Sequence, residues 1–118
     1  MSQTGEGMDI SISMFDVMAD WMNMALLGYR YSDVAPQRYG LTHGFVAPYG
    51  AYQSKDGRQV MLSIQNDREW SDFCLQVLRQ PDLVEDPRYK HNPERYKNRV
   101  ALAEIINAAF AAYDKDNI

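Results

Sequence analysis

Apolar residues recur at helical spacing in three stretches of the chain, and elsewhere they alternate at the spacing of strands. After Ser13, the residues Met14, Met18, Trp21, Met22, Ala25 and Leu26 fall on one helical face. Ser13 is placed to cap that helix, Asp16 favours its positive end, and Gly28 suits its stop, so the spacing predicts a helix over about 14–27. In "NDREWSDFCLQVL", Asn66 and Glu69 take the positions of a capping box, and Trp70, Phe73, Cys74, Val77 and Leu78 form the next stripe. Pro81 limits this helix to about 67–79. Asn92-Pro93 starts a third helix, about 94–113, whose inner face is Leu102, Ile105, Ile106, Ala109, Phe110 and Tyr113. Met8, Ile10 and Ile12 alternate with polar residues and predict a strand over 8–13. A hairpin over about 51–64 follows from Ala51-Tyr52-Gln53, the turn Ser54-Lys55-Asp56-Gly57 and the return through Gln59-Val60-Met61-Leu62, with Asp56-Gly57 expected to supply positive φ. The fold class is α+β: a short antiparallel sheet with three main helices.

Residues 29–50 carry no period. Gly, Pro and aromatic residues alternate there, and a connection this long is commonly a functional lid or a linker. The strand over 8–13 has no evident partner, because the other two strands pair with each other. At the far end "DKDNI" offers caps for a helix that does not follow. Both features lead to the expectation that the sequence is part of a longer protein.

Composition narrows the function. The 118 residues, 46% hydrophobic and 24% charged, suit one globular soluble domain. A net charge of −4 and a pI near 5.0 speak against nucleic acid. The most basic segment, Arg88 to Arg99, is interrupted by Glu94 and asparagines. The single cysteine, Cys74, allows no internal disulfide and fits a cytoplasmic protein. No apolar run approaches the ~20 residues of a membrane span, and "MSQTGEG" has no signal-peptide character.

No catalytic set emerges from the residues. His43 and His91 lie far apart, Cys74 sits on an apolar helix face, and no metal-ligand spacing is present. No serine occupies a G-x-S-x-G context, and "TGEG" precedes a strand where a phosphate loop would follow one. The acids Asp67, Glu69 and Asp72 read as a solvated helix face. The segment "DPRYKHNPERYKNR" reads either as a clamp for an anion or as a surface loop tied by its asparagine caps.

Three pieces in this order, "TGEGMDISISMFDVM", "PQRYGLTHGFVAPYGAYQSKDGRQVMLSIQND" and "LRQPDLVEDPRYKHNPERYKNR", resemble the family III CoA-transferases of the CaiB/BaiF type, relatives of formyl-CoA transferase and α-methylacyl-CoA racemase. The resemblance implies that residues 1–28 are the last strand and exit helix of a Rossmann-like large domain, and that 29–118 are most of a small domain. It implies CoA transfer between an acyl-CoA and a carboxylic acid through an aspartate upstream of "TGEG", so no catalytic residue and no metal are expected here and the fragment alone is expected to be inactive. The CoA thioester would be a substrate, with no tightly bound cofactor, and the parent would be an interlocked homodimer that binds neither nucleic acid nor membrane. The position matched to the family's mobile glycine-rich loop is "THGFVAPYGAY", without a run of glycines; His43, Gly44, Pro48, Tyr49 and Gly50 become the expected substrate-facing residues. A racemase-type parent and a non-catalytic binding module are the alternatives.

Overall fold

The computed structural model describes Gly5 and residues 7–118. The chain divides into two compact units, Met1–Arg38 and Tyr39–Ile118.

In the first unit, α1 spans Met14–Trp21 and α2 spans Asn23–Ser32. Ser13 caps α1 as its chemistry dictates: its hydroxyl accepts the Asp16 N–H at 3.3 Å. The expected stop at Gly28 does not occur. Glycine permits a helix end without forcing one, and α2 runs on to Asp33, which takes the left-handed conformation (φ 55°) and donates its N–H to the Tyr29 carbonyl at 2.8 Å. No residue of either helix is buried. Residues 8–13, expected as a strand, have no ladder partner among the described residues, whose sheet contains only β1 and β2.

The second unit holds the core. β1 (Tyr49–Gln53) and β2 (Gln59–Ser63) pair antiparallel, from Tyr49 opposite Ser63 to Gln53 opposite Gln59. Of the expected Asp56-Gly57 pair only Gly57 has positive φ (77°). Asp56 braces the turn instead, taking hydrogen bonds from the Ser54 hydroxyl and the Arg58 side chain. Those contacts, the Ser54 hydroxyl first, hold its carboxyl well below the usual carboxylate range.

α3 (Asp67–Asp72) opens on a shifted form of the anticipated box: Asn66 Oδ1 accepts the Glu69 N–H at 2.9 Å, while the Glu69 carboxylate reaches one residue before the cap, to the Gln65 N–H at 2.8 Å. Beyond Asp72 the winding loosens into a π-helix over Phe73–Leu78, which the apolar period does not announce. Short α4 (Asp82–Glu85) follows, and the third expected helix is divided at Asn98 into α5 (Asn92–Lys97) and α6 (Arg99–Phe110).

Trp70, Phe73, Cys74 and Leu78 meet Leu102, Ile106 and Phe110 of α6, with Tyr52, Ile64, Leu83 and Tyr89 closing the cluster. The Phe110 ring takes edge-on contacts from Tyr52 at 6.1 Å and Phe73 at 6.4 Å. Burial pushes the Cys74 thiol up to about 12, so it is protonated and unreactive near neutral pH.

Candidate functional site

The aperiodic stretch before β1 is a built structure. Gly40 turns with φ +60°, and the Thr42 N–H and hydroxyl both return to the Tyr39 carbonyl. A bridge joins Thr42 to Gly50, and the His43 N–H reaches the Tyr49 carbonyl at 3.2 Å. The two loop glycines are explained by crowding. A Cβ on Gly50 would stand 2.9 Å from the Leu41 carbonyl oxygen, and one on Gly44 would stand 2.9 Å from the Tyr39 ring.

The crest of the loop is fastened from α5, 45 or more residues away. Asn92 Oδ1 accepts the Ala47 N–H at 3.0 Å, and its Nδ2 donates to the Phe45 carbonyl at 2.8 Å. Arg95, 1% exposed, donates from Nε to the Ala47 carbonyl and from Nη1 to the carbonyls of Tyr89 and Lys90. Its guanidinium lies 5.1 Å from the Trp70 ring centroid, and Nη2 meets Asp67 Oδ1 at 3.0 Å. Asp67 Oδ2 also accepts from His91 Nδ1 at 2.9 Å. The hydrogen bonds from His91 and then Arg95 hold the Asp67 carboxyl below its ordinary range.

These contacts take Arg95 out of the anion-clamp reading of "DPRYKHNPERYKNR", while Arg99 of the same segment lines a cleft between the loop and α6. Arg95 is committed to backbone carbonyls inside the protein and is not available to clamp an anion. Asn92, expected as a cap, is the first residue of α5 and spends its amide on the loop; His91 precedes it as the N-cap residue, with no side-chain cap.

A cleft of about 390 Å³ lies between this loop and α6. The loop side carries Thr42, His43, Val46, Pro48 and Tyr49; the helix side carries Val100, Ala103, Glu104 and Asn107, one face at i, i+3, i+4, i+7. His43 and Tyr49 are stacked, ring centroids 5.0 Å apart and planes 14° from parallel. His43, Pro48 and Tyr49 therefore share one cleft, whereas Gly44 and Gly50 do not line it and serve close packing beside it. A larger, more open hollow of about 850 Å³ sits at the turn end of the hairpin, lined by Gln53, Lys55, Gln59 and Asn107. Its lining is more polar and brings together no acid–base pair, so the smaller cleft is the better candidate. Among the described residues no group of three or more His, Cys, Asp or Glu side chains could hold a metal ion, and no described helix is long and apolar enough to cross a membrane.

Asn92 and Arg95 are the positioning residues that sequence reasoning missed. Nothing in the local pattern separates them from surface Asn and Arg, and their partners are distant in the chain.

The cleft is mostly apolar with a few fixed polar groups, and a small α+β unit carries it. The chain belongs to CoA-transferase family III, whose sequence model matches residues 1–118. It is 28% identical over 109 residues to succinyl-CoA:glutarate CoA-transferase of Mus musculus, covering 92% of this chain and 24% of that protein. It is 31% identical over 109 residues to acetyl-CoA:oxalate CoA-transferase of Acetobacter aceti, covering 92% of this chain and 28% of that protein. The crystal structure of a CAIB/BAIF family protein from Brucella suis superposes with a TM-score of 0.67 at 27% identity, over 98% of this chain and 30% of that one. The chain thus spans about a quarter of the length of these curated relatives.

Proposed function

We propose that the chain forms a wall of the acyl-CoA site in an enzyme that moves CoA between an acyl-CoA and a carboxylic acid. In this reading residues 1–28 are the end of a large domain and 29–118 belong to a small domain. The reaction proceeds through an aspartate outside this chain, which carries CoA as a protein-bound thioester; such covalent relay divides one difficult transfer into easier steps. The chain by itself is inactive. The CoA thioester is a substrate and no cofactor is tightly held. The parent is a cytoplasmic homodimer.

The observation that carries this reading is the loop 42–50, held in place by Asn92 and Arg95 so that His43, Pro48 and Tyr49 line one cleft. The family's match over the whole chain supports CoA transfer, and the curated relatives described above, both CoA-transferases, favour transfer over epimerisation of a 2-methylacyl-CoA. The apolar face of α1, with Met14, Met18 and Trp21 exposed, supports a dimer contact.

The test is CoA exchange by the full enzyme that contains this chain, with a panel of CoA thioesters and free acids. Transfer of CoA to an acid, reduced when Tyr49 is replaced by Ala, is the expected result. Epimerisation without transfer, or exchange indifferent to Tyr49, would overturn the reading.

A further inference from the structure

We infer that His43 serves the cleft as a hydrogen-bond donor through Nε2, and that its ligand atom is an oxygen acceptor of a carboxylate or thioester carbonyl. The inference rests on the proposed site and adds a role for one residue in it. Two backbone amides set the state of the ring. The N–H groups of Phe45 and Val46 both point at His43 Nδ1, at 3.1 and 3.2 Å. An N–H can only donate, so Nδ1 must accept, and its lone pair is fully engaged. The neutral ring then carries its hydrogen at Nε2. With one nitrogen engaged by the backbone and the other protonated, this ring has no free lone pair with which to act as a base.

Three further observations leave Nε2 available to the cleft. His43 is half-buried and lines the cleft. Tyr49 stacks on one face of the ring, which leaves the ring edge as its polar contact. Among the described residues nothing accepts a hydrogen bond from Nε2, and Nε2 is not among their buried polar atoms without a partner, which are Trp70 Nε1 and Glu94 Oε2. The donor is fixed in orientation and open. Its complement is an oxygen acceptor, and both substrates of the proposed reaction, an acyl-CoA and a carboxylic acid, present one.

The other histidine of the chain is an internal control. His91 Nδ1 faces a carboxylate oxygen of Asp67 at 2.9 Å, so that nitrogen must donate. The chain holds only these two histidines, and their rings are assigned opposite Nδ1 states.

Long-range ¹H–¹⁵N NMR of the labelled 118-residue chain, at a pH where the rings are neutral, reads this directly. His43 is expected to show an unprotonated Nδ1 and a protonated Nε2, and His91 a protonated Nδ1; His91→Gln assigns the signals by deletion. A protonated Nδ1 at His43 would overturn the inference and leave the reading of the loop as a site wall intact. In the full enzyme, His43→Phe is expected to lower kcat/KM for CoA transfer roughly 10- to 100-fold where the acceptor is the carboxylate, the loss of one charge-assisted hydrogen bond, and about 10-fold or less where it is the thioester carbonyl. His43→Gln, which keeps an N–H donor at similar reach, is expected to recover most of that loss. Gln as damaging as Phe would overturn the donor role alone. Phe at parental kcat/KM would overturn both the donor role and the placement of His43 at the site.

Discussion

Trp21 and Trp70 sit in the same kind of helical stripe, and the folded chain treats them in opposite ways. Trp70 is 1% exposed beneath Arg95, and Trp21 is 76% exposed on α1. Around each, the spacing of apolar residues is that of an amphipathic helix. The difference teaches that periodicity states which face of a helix demands cover and says nothing about what supplies it. In residues 39–118 the cover comes from α6 and the hairpin. In α1 and α2 no residue is buried, and Met14, Phe15, Met18 and Trp21 are each more than half exposed.

The comparison breaks most sharply at Arg95. Arg95→Met leaves the carbonyls of Ala47, Tyr89 and Lys90 without their donor and Asp67 without its buried partner. The expected cost is about 3 kcal/mol or more in urea unfolding. A change within experimental error would show that the loop anchor is dispensable. Next comes Gly50→Ala. Its methyl would meet the backbone oxygen of Leu41, which cannot swing aside, and a loss of about 2 kcal/mol is expected from the same measurement.

Asp67 gives a smaller, pH-dependent effect. Its folded pKa is depressed by His91 and Arg95, so its contribution is present above about pH 4, the ordinary Asp value, and is lost as pH falls through the depressed folded value. Because Asp67 is half exposed, the contribution is discounted for solvent screening to roughly 1 kcal/mol. Asp67→Asn is expected to flatten stability against pH in that acid window, and an unchanged slope would contradict the assignment. The smallest effect belongs to the other region. Met18→Gln and Trp21→Gln are expected to change unfolding free energy by less than about 0.5 kcal/mol while weakening any self-association in sedimentation. A core-sized loss of stability would remove the contrast between the two tryptophans.

Much of this fold is legible in the sequence because its determinants are local. Ser13, Asn66 and Glu69 cap as their side chains dictate, and the stripe from Trp70 to Leu78 enters the core with only Val77 half-buried. The misses share one cause, which is that the deciding partner is distant or absent from the pattern. Gly28 allows a stop that α2 does not take; residues 8–13 have strand spacing and no ladder among the described residues; Asn92 looks like a cap and is a strut for the loop. Of the five residues that the resemblance singles out, His43, Pro48 and Tyr49 line the cleft, and Gly44 and Gly50 do not. The sequence shows no sign of the fastening by Arg95, because nothing local tells a buried arginine from a solvated one.

The central claim is that the loop before β1 is a fixed wall and not a swinging lid. Amide hydrogen exchange at Phe45, Val46 and Ala47, measured with no ligand present, tests it most directly. Each of these N–H groups has a named acceptor: His43 Nδ1 for the first two and Asn92 Oδ1 for the third. The account predicts protection comparable with the paired amides of β1 and β2, lost at Ala47 in Asn92→Ala. Exchange of all three amides at the rate of an unstructured chain, before any acyl-CoA is added, would contradict it.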